Sequence, residues 1–302
     1  MENDLSMGAA WMNGTVIPIS QAKIPVNDWG LVHSDITYDV VPVIDGAFFR
    51  FDEYLARFLS SMENLHLDPG MNKRDIQAAL HQMVSKSSLR DSYVAMVCSR
   101  GKPKIAGSRD PRDCENHFFA WCVPYVHIIK PEIVKQGATA WIAQNAYRIP
   151  ENSVNPLVKN YHWGDFTQGI FEAKDKDYET VILLDYDGNV TEGPGFNVFA
   201  VKDKVLITPD RGVLAGVSRK TVLEMAEHLG INTSVRSLSV EELLEADEVF
   251  LSSSGGGVIP IIRVNETIFG NGASGPISVQ LNETYWKWTT LEKYRDPIDY
   301  AL

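Results

Sequence analysis

The first fifty residues alternate hydrophobic and polar positions in short runs, the pattern of strands rather than helices. Ala10-Trp11-Met12 and Thr15-Val16-Ile17 flank Asn13-Gly14, a dipeptide that readily takes the two positive φ values of a type I′ turn, so a hairpin is predicted. A second hairpin is predicted where Thr37 to Ile44 and Ala47 to Phe51 flank Asp45-Gly46. After Asp52, read as an N-cap, the period changes: Leu55, Phe58, Leu59 and Met62 recur at helical spacing, with Arg57 on another face. A second helix is predicted from Asn72 to about Ser87 on the stripe Ile76, Leu80, Met83 and Val84, followed by strands from Tyr93 to Ser99 and from His117 to Val123.

Pro124, Pro131 and Gly137 then break the pattern. This predicts a small N-terminal α/β domain over residues 1–124, a linker over 125–136 and a larger, barrel-like α/β domain over 137–302. The second block mixes predicted strands (139–143, 180–184, 196–201, 248–251, 258–264) with predicted helices (165–174, 218–229 and near 276–292). They lack the regular βαβ rhythm and any G-x-G-x-x-G turn, so the fold class is α+β rather than a doubly wound nucleotide-binding sheet.

Composition narrows the partners. A chain of 302 residues allows two cores and a cleft. Its formal charge of −11 argues against nucleic acid or an anionic membrane surface, which demand clustered Lys and Arg. The acidic start Met1-Glu2-Asn3-Asp4 lacks the basic region of a signal peptide, and a cytoplasmic location is expected. Cys98, Cys114 and Cys122 have neither a disulfide nor a zinc spacing, and no metal is expected. Cys98 and Cys122 lie in apolar runs and read as small hydrophobes.

Four segments could carry chemistry. Lys159 follows Asn155-Pro156-Leu157-Val158, and a desolvated lysine favours the neutral amine that a Schiff base requires; a surface lysine at a strand end is the plainer alternative. Glu192 stands between the Asp187-Gly188 turn and Gly193-Pro194-Gly195, where small residues let a flat ligand approach its carboxylate, or where it is simply a solvated loop acid. Gly216-Val217-Ser218 opens a helix whose N–H groups suit a phosphate, unless Ser218 is only the N-cap. The run Ser252 to Gly257 follows an apolar strand and reads as a tight turn able to contact a phosphate.

Together, and in this order, the segments resemble the fold type IV pyridoxal-phosphate enzymes. Nearest are the (R)-selective amine transaminases, through His33-Ser34-Asp35-Ile36-Thr37-Tyr38-Asp39-Val40, Val158-Lys159-Asn160-Tyr161-His162-Trp163-Gly164-Asp165 and Thr208-Pro209-Asp210-Arg211-Gly212-Val213-Leu214. The resemblance implies pyridoxal 5′-phosphate as cofactor, with Lys159 in Schiff-base linkage, Glu192 on the pyridine nitrogen, and Arg57, Val217, Ser218 and Ser254 on the phosphate. It implies His33, Tyr38, Val40, Tyr93 and Trp163 as the substrate pocket, and Arg109 as the partner of an acceptor carboxylate. The chain departs from the pattern at Ser218 and Ser254, where threonines are usual, and at His162, where glutamine is usual.

The activity implied moves an amino group from a primary (R)-amine, or D-alanine, to a keto acid or ketone such as pyruvate. A D-amino-acid or branched-chain aminotransferase is the alternative, and a lyase of the aminodeoxychorismate type a further one. The resemblance also implies a homodimer with each site completed by the neighbouring chain.

Overall fold

A computed structural model describes residues 4–301. Met1-Glu2-Asn3, part of the acidic start, and Leu302 lie outside the described residues. The α+β class read from the pattern is the observed one, and the chain forms two compact units. One takes the chain through Val126, the segment Val158–His162 and the stretch from Leu291; the other takes His127–Leu157 and Trp163–Thr290. Two segments beyond Gly137 thus lie outside a contiguous second half.

In the first unit, β1 (Ala9–Met12) and β2 (Thr15–Pro18) pair antiparallel, with φ of 50° at Asn13 and 81° at Gly14 making the predicted turn. A short helix, α1 (Trp29–Val32), follows. Then β3 (Ile36–Ile44) and β4 (Ala47–Phe49) pair around Asp45 and Gly46, at φ 47° and 72°.

Helix α2 (Phe51–Asn64) carries the predicted apolar stripe, but its N-cap is Arg50, at φ 56°, and not Asp52, which lies in the first turn. Tertiary contacts decide the start. The Arg50 N–H donates to the Tyr294 carbonyl, its guanidinium lies 4.7 Å from the Tyr294 ring, and Nε donates to Glu53. Helix α3 (Lys73–Ser87) begins at Asn72 with a full capping box to Asp75.

Strands β5 (Ser92–Ser99) and β6 (His117–Pro124) complete a wholly antiparallel sheet. Its order is C-terminal strand Arg295–Pro297, β4, β3, β5, β6, β1, β2. One face buries Val41, Val94, Met96, Cys98, Phe118 and Cys122 beneath α2 and α3. Burial pushes the Cys98 thiol up to about 12, consistent with its reading as a small hydrophobe. By alternation the other face carries Tyr38, Val40, Tyr93 and Trp121.

In the second unit, α4 (Pro131–Gln136) occupies the stretch read as linker. There follow β7 (Ala138–Tyr147), α5 (Gly164–Lys174), β8 (Thr180–Leu184), β9 (Glu192–Gly193), β10 (Phe196–Lys202), β11 (Val205–Thr208), α6 (Val217–His228) and β12 (Thr233–Val235). The unit ends with α7 (Val240–Leu244), β13 (Glu248–Ser253), β14 (Gly257–Val264), β15 (Thr267–Ile268) and α8 (Pro276–Trp288).

The main path of this sheet runs β12, β11, β10, β13, β14, β7, β8 and is mixed: β12 with β11, β14 with β7, and β7 with β8 are parallel. Ile142, Ile182, Val198, Leu251, Ile259 and Ile261 fill one core, and Trp141, Phe166, Val181 and Leu183 fill another beneath α5. Two local readings change here. Ser252 and Ser253 extend β13, so the turn is only Ser254-Gly255-Gly256; and Gly216, not Ser218, occupies the N-cap of α6. Among the described residues, no helix is long and apolar enough to cross a membrane.

Candidate active site

In the first unit the chemistry gathers at the start of β3. Along β3, strand β4 covers only Val43 and Ile44, which leaves the opposite end of that edge to Asn160, in an antiparallel bridge to Thr37. Lys159 is thereby pinned at its backbone, its N–H donating to Ser61 Oγ (3.3 Å) and its carbonyl accepting from Thr37 Oγ1 (2.6 Å). Its Nζ lies 4.5 Å from the centre of the Tyr38 ring, and Tyr38 stacks on Tyr161 at 4.0 Å with the planes 4° apart.

Burial raises the Tyr161 and Tyr93 phenols well above the ordinary tyrosine range, and neighbouring Tyr38 adds to both; the charge of Asp39 adds further at Tyr93. The amine thus lies against an aromatic cluster, Tyr38 with Tyr161. Arg57, one turn ahead of Ser61 on α2, donates through Nε and Nη2 to the two oxygens of Asp39, at 2.8 and 2.7 Å. Burial opposes the guanidinium charge, but the Asp39 carboxylate outweighs it and holds the pKa above the ordinary arginine value.

Of the other residues singled out in this unit, Val40 is buried two places along from Tyr38, on the same face of β3. His33 is exposed at the C-cap of α1, edge-on to Trp29. Arg109 is exposed on the long connection between β5 and β6, just before the short 3-10 helix Pro111–Asp113.

In the second unit, Glu192 is 5% exposed, which excludes the solvated loop acid. Its Oε1 accepts from Arg148 Nε at 3.1 Å; its Oε2 accepts from the Leu214 N–H at 2.9 Å and from Asn197 Nδ2 at 3.5 Å. Arg148 reaches further and donates through Nη1 to Asp165 Oδ2 at 2.6 Å. Arg148 did not stand out in the sequence, and Asp165 and Asn197 closed segments that did, without being given a role. The available signal was Arg148-Ile149-Pro150, a cation and a helix breaker at the end of a long strand.

The start of α6 lies next to this cluster. Asn197 also donates to the Leu214 carbonyl, and a Cβ built on Gly216 would come within 2.1 Å of Asn197 Oδ1. Gly216 gives the helix no side-chain cap, and its first N–H groups have no intrahelical acceptor. Val217 and Ser218 are buried in that first turn, with Ser218 Oγ 3.5 Å from the Tyr285 hydroxyl. Beside it Ser252, the register partner of Asn197, buries a hydroxyl with no hydrogen-bond partner. Ser254 lies at the adjoining turn and is half-buried. Trp163 is the N-cap residue of α5 and packs on Phe166.

Within the second unit, a buried carboxylate fixed at both oxygens and a helix start without a side-chain cap beside the Ser252 hydroxyl fit a basic ring nitrogen and a phosphate; within the first, Lys159 offers an amine of the kind a bound carbonyl takes. Residues 37–264 match the family model described as amino-transferase class IV, and the chain belongs to that family, the pyridoxal-phosphate-dependent aminotransferases of fold type IV.

Over 278 residues the chain is 27% identical to a putative branched-chain-amino-acid aminotransferase of Methanocaldococcus jannaschii, covering 91% of this chain and 94% of that one. Over 273 residues it is 28% identical to the D-alanine aminotransferase of Bacillus licheniformis, covering 88% and 92%. The branched-chain aminotransferase of Thermoproteus uzoniensis, solved with norvaline, superposes with a TM-score of 0.87 at 26% identity, over 96% of this chain and 99% of that one. The holo form of the Thermobaculum terrenum branched-chain enzyme gives 0.85 at 23% identity, over 99% and 100%, and shares the fold.

Proposed function

We propose that this aminotransferase takes its amino group from simple primary (R)-amines, or D-alanine, and passes it to a keto acid or ketone such as pyruvate. The observation that carries this reading is the setting of Lys159: its amine lies over the Tyr38–Tyr161 stack, with Val40 and Tyr93 on the same sheet face as Tyr38. An uncharged aryl or alkyl substituent suits such an aromatic and aliphatic wall, whose burial favours apolar groups.

When bound, pyridoxal phosphate supplies the carbonyl that captures the amine and a conjugated ring that takes up the electron pair released at the substrate carbon. Lys159 is proposed to hold the cofactor and then to carry the proton at Nζ between that carbon and the cofactor. The backbone hydrogen bonds to Ser61 and Thr37 anchor the residue, and the Tyr38 ring face stabilises Nζ when it is charged. Glu192 is proposed to hold a proton at the ring nitrogen. Arg57, Val217, Ser218 and Ser254 are proposed to bind the phosphate, His33 and Trp163 to border the substrate, and Arg109 to meet an acceptor carboxylate. We further propose a homodimer and a cytoplasmic location.

The test is the visible spectrum of the purified protein before and after each enantiomer of 1-phenylethylamine, followed by pyruvate. The (R)-amine should bleach the cofactor band and pyruvate should restore it, while the (S)-amine leaves it unchanged. Bleaching by the (S)-amine alone overturns the reading. The names of the relatives favour a second one, an amino-acid aminotransferase, which predicts a faster reaction with leucine than with any simple amine.

A further inference from the structure

The clamp on Glu192 does more than hold a side chain still. Arg148 binds it, yet a guanidinium on a carboxylate would by itself cancel the negative charge that a protonated ring nitrogen needs opposite it. The structure supplies a second acid behind the arginine. Asp165 accepts from Arg148 Nη1 at 2.6 Å, and its side chain is 6% exposed, against 8% for Arg148 and 7% for Glu192.

Asp165 is itself fixed in place. The Ile149 N–H donates to Oδ2 at 3.0 Å, and the Phe166 N–H donates to Oδ1 at 2.8 Å. A second cation of this unit, Arg219, has its pKa lowered by burial, which the charges of Asp210 and Glu192 oppose. Arg219 is also tethered to the Pro209 carbonyl through Nη2. At Arg148 itself two carboxylates, Glu192 and Asp165, face one guanidinium.

We infer that Asp165 is a positioning residue that sets the charge at the ring nitrogen, by neutralising Arg148 so that Arg148 can orient Glu192 without quenching it. This inference rests on the reading of Glu192 as the partner of that nitrogen. Asp165 touches neither substrate nor cofactor in this account; it acts through Arg148.

The experiment compares the affinity of full-length protein for pyridoxal phosphate with its affinity for the deaza analogue, in which a C–H group replaces the ring nitrogen. The ratio of the two dissociation constants reads the charge at that position, and a general loosening of the site cancels from it. Wild type should prefer pyridoxal phosphate, and Glu192→Gln should abolish the preference. Asp165→Asn should lower the ratio by roughly tenfold, the order expected for one charge removed at short range in a buried site, whereas Asp165→Glu should keep it.

Equal weakening of both ligands by Asp165→Asn, with the ratio left at its wild-type value, overturns the inference and spares the reading of Glu192. Absence of any preference in wild type overturns that reading itself. Should the asparagine variant fail to fold by circular dichroism, Asp165→Ser, too short to reach Arg148, carries the same expectation.

Discussion

Asn197 serves two partners through one nitrogen, the Glu192 carboxylate and the Leu214 carbonyl, while its oxygen lies against Gly216. A methyl group at position 216 would therefore act on Glu192 at one remove. Gly216→Ala is expected to weaken cofactor binding by about 1–2 kcal/mol, the scale of a disturbed buried hydrogen bond; fluorescence titration with pyridoxal phosphate measures it, and an unchanged affinity would show that Asn197 yields without moving the acid. Lys159→Ala is expected to cost roughly 10²–10⁴-fold in turnover, the range for a lost proton carrier, and borohydride reduction should no longer fix the cofactor to the chain. Lys159 and Glu192 could be picked out in the sequence as candidates because each adjoins constrained residues, prolines or glycines. Arg148 could not, because a cation 44 positions from its acid leaves no local trace. Asp39 did leave one: a lone acid in the run Thr37 to Ile44, otherwise composed of apolar, aromatic and β-branched residues, signals a buried partner such as Arg57.

At the scale of elements, long periodic stripes transferred faithfully from pattern to structure. Helix α3 and strand β8 lie where their patterns put them, because each buries enough apolar surface to fix its own phase. Short elements such as β9, β12 and β15 hold two or three residues each and exist through their partners, so the pattern alone could not show them. Helix α1 belongs with these. Four residues long, it depends on Asp28, which accepts from the Gly30 N–H and from Ser99 Oγ and pairs with His117 Nε2 at 2.7 Å. Burial raises the Asp28 pKa, but the hydrogen bonds from His117, Ser99 and Gly30 outweigh it and leave the carboxyl below its ordinary value. A depressed folded-state value contributes stability above the unfolded-state value, near pH 4, and loses it as pH falls through the lower folded value. Asp28→Asn should therefore destabilise the protein by about 1–3 kcal/mol at pH 7, and the gap to wild type in urea unfolding should close as the pH drops below about 4. A gap that persists undiminished at acid pH would assign the effect to packing instead of charge.

Over the whole molecule, the chain's return to its first unit is what the pattern concealed. Arg295–Pro297 is too short and too polar to announce a strand, yet it pairs with β4 and closes that edge of the first sheet. The residues after it continue the attachment: the Ile298 N–H donates to the Gly46 carbonyl, the Asp299 carbonyl accepts from Ser85 Oγ, and the Tyr300 hydroxyl donates to the Leu89 carbonyl beneath the Arg90 guanidinium. These contacts tie α3 and the β3–β4 turn to a segment more than 200 residues away in sequence. Removing residues 291–302 would expose the β4 edge and strip the α2 start of the Tyr294 carbonyl on which Arg50 depends. Hydrogen exchange tests this directly: amides of β4, α2 and α3 should lose protection in the truncated chain, while those of α6 and α8, in the other unit, keep theirs. Equal loss in both units would mean that the C-terminal segment stabilises the protein by a route other than closing the first sheet.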